Sequence, residues 1–102
     1  MEINEQNFDE FVGSDQVSMI DLYAEWCQPC KLLGPVLDKI KDKRIGKVNV
    51  DNWRAISSIY SVTSIPTMLF FRNGKMLKKV VGLLKEVEIR KIFEDLQSST
   101  TI

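Results

Sequence analysis

Apolar and polar positions along this chain follow two periods, and the changes between them mark its elements. Ser18–Tyr23 is apolar on both faces apart from Asp21, the pattern of a central parallel strand. Thr67-Met68-Leu69-Phe70-Phe71 is the clearest strand. Asn73-Gly74 after it, followed by Met76-Leu77 and Val80-Val81, predicts a hairpin. Lys47-Val48-Asn49-Val50 reads as a further strand, and Ile3 as part of a short first one. Helical spacing takes over between these runs. It places Phe8, Phe11 and Val12 on one face after the capping run Asn4–Asn7, and Gly13-Ser14-Asp15 breaks that helix. A second helix runs from Cys27 to Asp42 with Pro35 inside it, where proline kinks a helix. A third, capped by Asp51-Asn52, runs from Trp53 to Tyr60 and buries Trp53, Ile56, Ile59 and Tyr60. A fourth, Leu84 to Gln97, buries Leu84, Val87, Ile92, Phe93 and Leu96. The order is βαβαβα followed by ββα: an α/β fold with a central, mixed, five-stranded sheet flanked by helices.

Length and composition narrow this picture. The 102 residues suit a single domain over 1–102, with 98–102 expected to fray as a polar tail. Fourteen basic residues balance fourteen acidic ones, so no strong field draws the chain to nucleic acid or an anionic membrane. No apolar run approaches the roughly 20 residues of a membrane span. The polar start Met1-Glu2-Ile3-Asn4-Glu5-Gln6 does not read as a signal peptide, so a cytoplasmic setting is expected. There, structural disulfides are rare and catalytic ones occur. With two cysteines and no histidine, a monomer lacks the roughly four Cys or His ligands of a closed zinc site. No metal and no bound cofactor are expected.

The chemistry is concentrated in Trp26-Cys27-Gln28-Pro29-Cys30-Lys31, which holds both cysteines. A Cys-x-x-Cys pair where a strand ends and a helix begins is placed for thiol–disulfide exchange. Cys27 meets the free N–H groups and positive end of the helix, which lower a thiol pKa below the usual value of about 8.5. One helical turn on, Cys30 is close enough to form a disulfide with it. Cys27, with the more exposed edge, is read as the nucleophile and Cys30 as the buried resolving thiol. Pro29 suits the first helical turn, where its missing N–H is no loss. Asp21 sits six positions before Cys27 between Ile20 and Leu22, and alternation points it beneath the helix start. A desolvated carboxylate there is a candidate general base. Lys47 is either its charge partner or a solvated lysine. Trp26 reads as a rim beside the cysteines, and Gly82 as a point of close backbone approach or a bulge.

These segments resemble the thioredoxin family, and nearly the whole chain takes part. Asp21-Leu22-Tyr23-Ala24-Glu25-Trp26-Cys27-Gln28-Pro29-Cys30-Lys31 is similar to the family's active-site segment, and Pro35 to its helix-kinking proline. Lys47–Asp51, Ser64-Ile65-Pro66-Thr67, Asn73-Gly74 and Val81-Gly82 match further landmarks in the same order. The resemblance implies a thioredoxin fold and a protein disulfide reductase that cycles between dithiol and disulfide. Its substrates would be disulfide-containing proteins. NADPH would act indirectly, through a thioredoxin reductase. The resemblance also assigns Asp21 the proton of the resolving thiol and makes Ile65–Pro66 a cis bond. The backbone of Ile65 is then left to pair with an extended substrate, within a groove that Trp26 and Gly82 complete.

Three departures bear on partner choice and potential. Gln28 stands where Gly is usual, Lys41–Gly46 is shorter than in familiar members, and Ser64 and Leu83 replace small rim residues. The competing function is a thioredoxin-fold binding module that uses its groove and not its thiols. Such modules often lose a cysteine, and this chain keeps both.

Overall fold

The two most apolar runs lie side by side at the centre of the sheet. Strands β1 (Ser18–Tyr23) and β3 (Thr67–Arg72) pair antiparallel, with Met19 opposite Phe70 and Asp21 opposite Met68. β2 (Arg44–Asn49) flanks β1 in parallel, and β4 (Lys75–Val81) flanks β3 antiparallel, giving the order β2-β1-β3-β4. Helices α1 (Phe8–Val12), α2 (Gln28–Asp38), α3 (Arg54–Ile59) and α4 (Glu86–Ser98) cover the two faces. The structure, a computed structural model, describes residues 1–98. Ser98, expected in a frayed tail, closes α4; the rest of that tail, 99–102, lies outside the described residues.

Side-chain alternation along the central strands divides the core in two. Ile20, Leu22, Leu69 and Phe71 face α1 and α3, where they meet Phe8, Phe11 and Ile56. Phe71 takes the edges of Phe8 and Tyr60 at centroid distances of 5.7 and 5.2 Å. Met19, Met68 and Phe70 face α2 and α4 and pack on Leu33, Leu37, Ile89 and Phe93. Each such side chain removed from water contributes about 1.5–3 kcal/mol. The hairpin forms as expected: Asn73 and Gly74 both take positive φ, 53° and 79°.

Among the described residues four strands form, not five. The segment at Ile3 reaches β2 only through a parallel bridge between Glu2 and Lys47. Ile3 N–H donates to Lys47 O and Lys47 N–H to Met1 O, both at 2.8 Å. Asn4 and Asn7 then bond each other's backbone N–H and turn the chain into α1.

The short stretch after the second helix is absorbed by ending α2 at Asp38, not Asp42, while β2 begins early at Arg44. Arg90 of α4 holds that turn, donating to Lys39 O at 2.9 Å and to both Asp42 carboxylate oxygens at 3.2 Å. Two expected core residues are exposed, Ile59 at 70% and Val87 at 71%. At about 100° per residue, Trp53, Ile56 and Tyr60 share one stripe and Ile59 stands roughly 90° from its centre. Val87 lies about 160° around the helix from Ile89, the fully buried residue absent from the expected core.

Candidate active site around the Cys27–Cys30 pair

After β1 the chain passes through buried Ala24 and turns at Cys27, whose N–H donates to Ala24 O at 3.2 Å. Cys27 is the N-cap of α2, with extended backbone (φ −89°, ψ 112°), and its Sγ accepts the Cys30 N–H at 3.2 Å. One of the orphan donors at the helix start is thus aimed at this sulfur. Pro29 lies in the first turn, where proline is tolerated. The two cysteines form a disulfide with Cα atoms 5.3 Å apart. Gln28 and Pro29 between them are exposed.

The expected contrast in access between the thiols is absent. Cys27 and Cys30 are 4% and 6% exposed, because Ala24, Val50 and Ile65 pack around the pair. What separates them is direction. Cys27 Sγ lies 3.9 Å from Ile65 O, on the side of the cis Ile65–Pro66 bond. Cys30 lines a cavity of about 220 Å³ together with Asp21, Lys47, Glu2 and Tyr23.

Asp21 is 2% exposed, and its Oδ1 has no hydrogen-bond partner. Burial pushes its carboxyl up to about 6; the Lys47 cation opposes that shift and the Glu2 charge adds to it. Lys47 is the register partner of Asp21 on β2, yet the two close no ion pair among the described residues.

On the other side of the disulfide, Gly82 N–H donates to Pro66 O at 2.9 Å. Gly82 has φ +103° with open space where a Cβ would stand, so its backbone conformation, not crowding, favours glycine. Trp26 is 69% exposed, and its indole N–H donates to Asp51 Oδ2 at 2.9 Å. Asp51 was expected to cap the third helix; instead Trp53 is the N-cap of α3, without a side-chain bond. Asp51, Glu2 and Tyr23 are further neighbours of the site that the sequence analysis does not place there. Only Asp51 carried a signal, as a lone acid at the end of the strand beside β1.

Ile65 and Pro66 thus lie on the Cys27 side of the disulfide with Gly82 bonded to Pro66, Asp21 and Lys47 line the cavity on the Cys30 side, and Trp26 is tied to Asp51. Among the described residues, no cluster of three or more His, Cys, Asp or Glu is arranged to hold a metal ion. No helix among them is long and apolar enough to cross a membrane.

A model of the thioredoxin family matches residues 1–95. The chain is 37% identical over 95 residues to a thioredoxin of Mycoplasmoides gallisepticum, covering 89% of this chain and 95% of that protein. It is 44% identical over 85 residues to a thioredoxin of Chlamydia caviae, covering 79% and 82% respectively. Among solved structures, a mutant thioredoxin from Halobacterium salinarum superposes with a TM-score of 0.90 at 28% identity, covering 99% of this chain and 93% of that one.

Proposed function

The chain belongs to the thioredoxin family of thiol–disulfide oxidoreductases, and we propose that it is a cytoplasmic reductase of protein disulfides with Cys27 as nucleophile. The observation that carries this reading is the position of Cys27 Sγ, on the Cys30 N–H at the start of α2 and facing Ile65. In the reduced protein the helix N-terminus favours the Cys27 thiolate. That thiolate attacks one sulfur of a substrate disulfide, forms a mixed disulfide and expels the first substrate thiolate. Asp21, as carboxylate, takes the proton of Cys30 through the shared cavity. The Cys30 thiolate then attacks Cys27 Sγ, closes the Cys27–Cys30 disulfide and releases the second substrate thiolate. Two electrons pass to the substrate.

In this reading the substrate lies along Trp26, the backbone of Ile65, Pro66 and Gly82. Lys47 tunes Asp21, while Gln28 and Pro29 shape the turn between the thiols. The chain works as a monomeric, single-domain electron carrier, with no bound cofactor. A flavoprotein thioredoxin reductase returns it to the dithiol with electrons from NADPH. NADPH oxidation followed at 340 nm tests this partnership: with a thioredoxin reductase and a disulfide protein, absorbance falls only when the chain is added. A chain that a panel of bacterial reductases leaves oxidised would contradict it.

Gln28 has a smaller expected effect. Its side chain is exposed and supplies bulk, not a reacting group. Gln28→Gly shifts the equilibrium with a glutathione buffer by less than about tenfold, or roughly 30 mV, and turnover persists. Loss of all turnover would give Gln28 a chemical role.

A further inference from the structure

The N-terminal segment, β2 and β1 set three charged side chains in one row across the sheet. Asp21 is the register partner of Lys47, and Lys47 is the parallel bridge partner of Glu2. Register partners in a parallel pair project to the same face. Here that face lies beneath α2, since Ile3 and Val48, one position on, enter the opposite core. Lys47 therefore stands between two carboxylates, one buried and one exposed. Tyr23, two residues after Asp21 and on the same face, reaches across the row. Its hydroxyl donates to Glu2 Oε1 at 3.1 Å and Oε2 at 3.2 Å. All four side chains line the cavity that also admits Cys30.

We propose that Glu2, held by the Tyr23 hydroxyl, is a positioning residue of this cleft: it shares the Lys47 cation with Asp21 and so sets how readily Asp21 takes the Cys30 proton. The inference rests on the reading of Asp21 as the base for Cys30. Without Glu2, the whole field of Lys47 acts on the Asp21 carboxylate and favours its ionised form. With Glu2 in place, part of that field is cancelled and the buried carboxylate keeps a higher affinity for a proton. The remaining charged groups lining the cleft, Glu25 and Lys31, are of opposite sign and exposed. From β3, Asp21 meets only the uncharged Met68 as its register partner. Tyr23 remains a hydroxyl donor throughout, its phenol pushed up to about 12 by burial and by its bond to Glu2.

Carboxyl ¹³C NMR titration of Asp21 tests this in the full chain. Glu2 is exposed, so Glu2→Gln leaves the fold intact. The expected result is a downward shift of the Asp21 midpoint by roughly half a pH unit, the size of one charge interaction across two strand spacings in a partly hydrated cleft. Tyr23→Phe, which frees Glu2, shifts the midpoint the same way, and Lys47→Gln shifts it upward. An Asp21 midpoint unchanged in Glu2→Gln but raised in Lys47→Gln would overturn the inference. A shift in Glu2→Gln with none in Tyr23→Phe would overturn the part given to Tyr23. The base reading fails separately: it fails if Asp21→Asn leaves the pH dependence of mixed-disulfide resolution unaltered, whatever Glu2 does to the titration.

Discussion

Cys30→Ser is expected to accumulate mixed disulfides with substrate proteins through Cys27, and Cys27→Ser to accumulate almost none. Both sulfurs are nearly buried in the disulfide form, so the asymmetry does not come from gross access. It comes from the helix start. Cys27 caps α2 and takes the Cys30 N–H on its sulfur, while Cys30 lies one turn inside and opens toward Asp21. A thiolate at the N-cap is stabilised by the orphan donors and the helix dipole; a thiol behind it is not. Removing Cys30 leaves the attacking group intact and deletes the sulfur that resolves the adduct. Mass spectrometry of each variant after exposure to a disulfide protein reads the outcome directly. Adducts through Cys30 in the Cys27→Ser protein at comparable yield would reverse the assignment.

Asp21→Asn is expected to slow reduction near neutrality and to stabilise the oxidised fold by about 2–3 kcal/mol above pH 7. The folded carboxyl titrates at about 6 because it is buried, against an unfolded value of about 3.9. Below the unfolded value the group is protonated in both states and folding carries no charge penalty. As pH rises toward 6 the unfolded chain loses its proton first, and stability is lost progressively until the folded group ionises too. Asn imitates the protonated form, so the two proteins have equal stability below about pH 4 and diverge through the window between the two pKa values. Urea melts at pH 3.5 and pH 8 measure the difference. An Asn variant less stable at pH 8, or more stable by the same amount at both pH values, would show that Asp21 is not a desolvated carboxylate.

Local patterns made part of this structure legible in the sequence. The strand from about Ser18 to Tyr23 was readable because a strand buried on both faces shows as an apolar run, with Asp21 the charged interruption. Asn73-Gly74 announced a hairpin because few other residue pairs accept two successive positive φ values. The cysteine pair was readable as redox chemistry because its position between a strand and a helix start is itself the chemical argument.

Features set by distant partners were less accessible. Ile59 and Val87 fit a helical period, but which side of a short helix meets the sheet is decided by packing. The first strand shrank to one bridge because Asn4 and Asn7 satisfy the backbone locally after Ile3. Trp26–Asp51 and Tyr23–Glu2 join residues 25 and 21 positions apart, and no period or motif connects them. The even burial of Cys27 and Cys30 depends on Val50 and Ile65, which arrive from other parts of the chain.

The Cys27–Cys30 pair turns over protein disulfides by exchange. Insulin reduction with dithiothreitol as terminal reductant, followed by turbidity as the freed B chain precipitates, tests it most directly. Catalytic amounts of the chain are expected to shorten the lag before precipitation, and Cys27→Ser and Cys30→Ser each to return the lag to that of dithiothreitol alone. A Cys27→Ser protein that shortens the lag as well as the parent chain would contradict exchange through this pair.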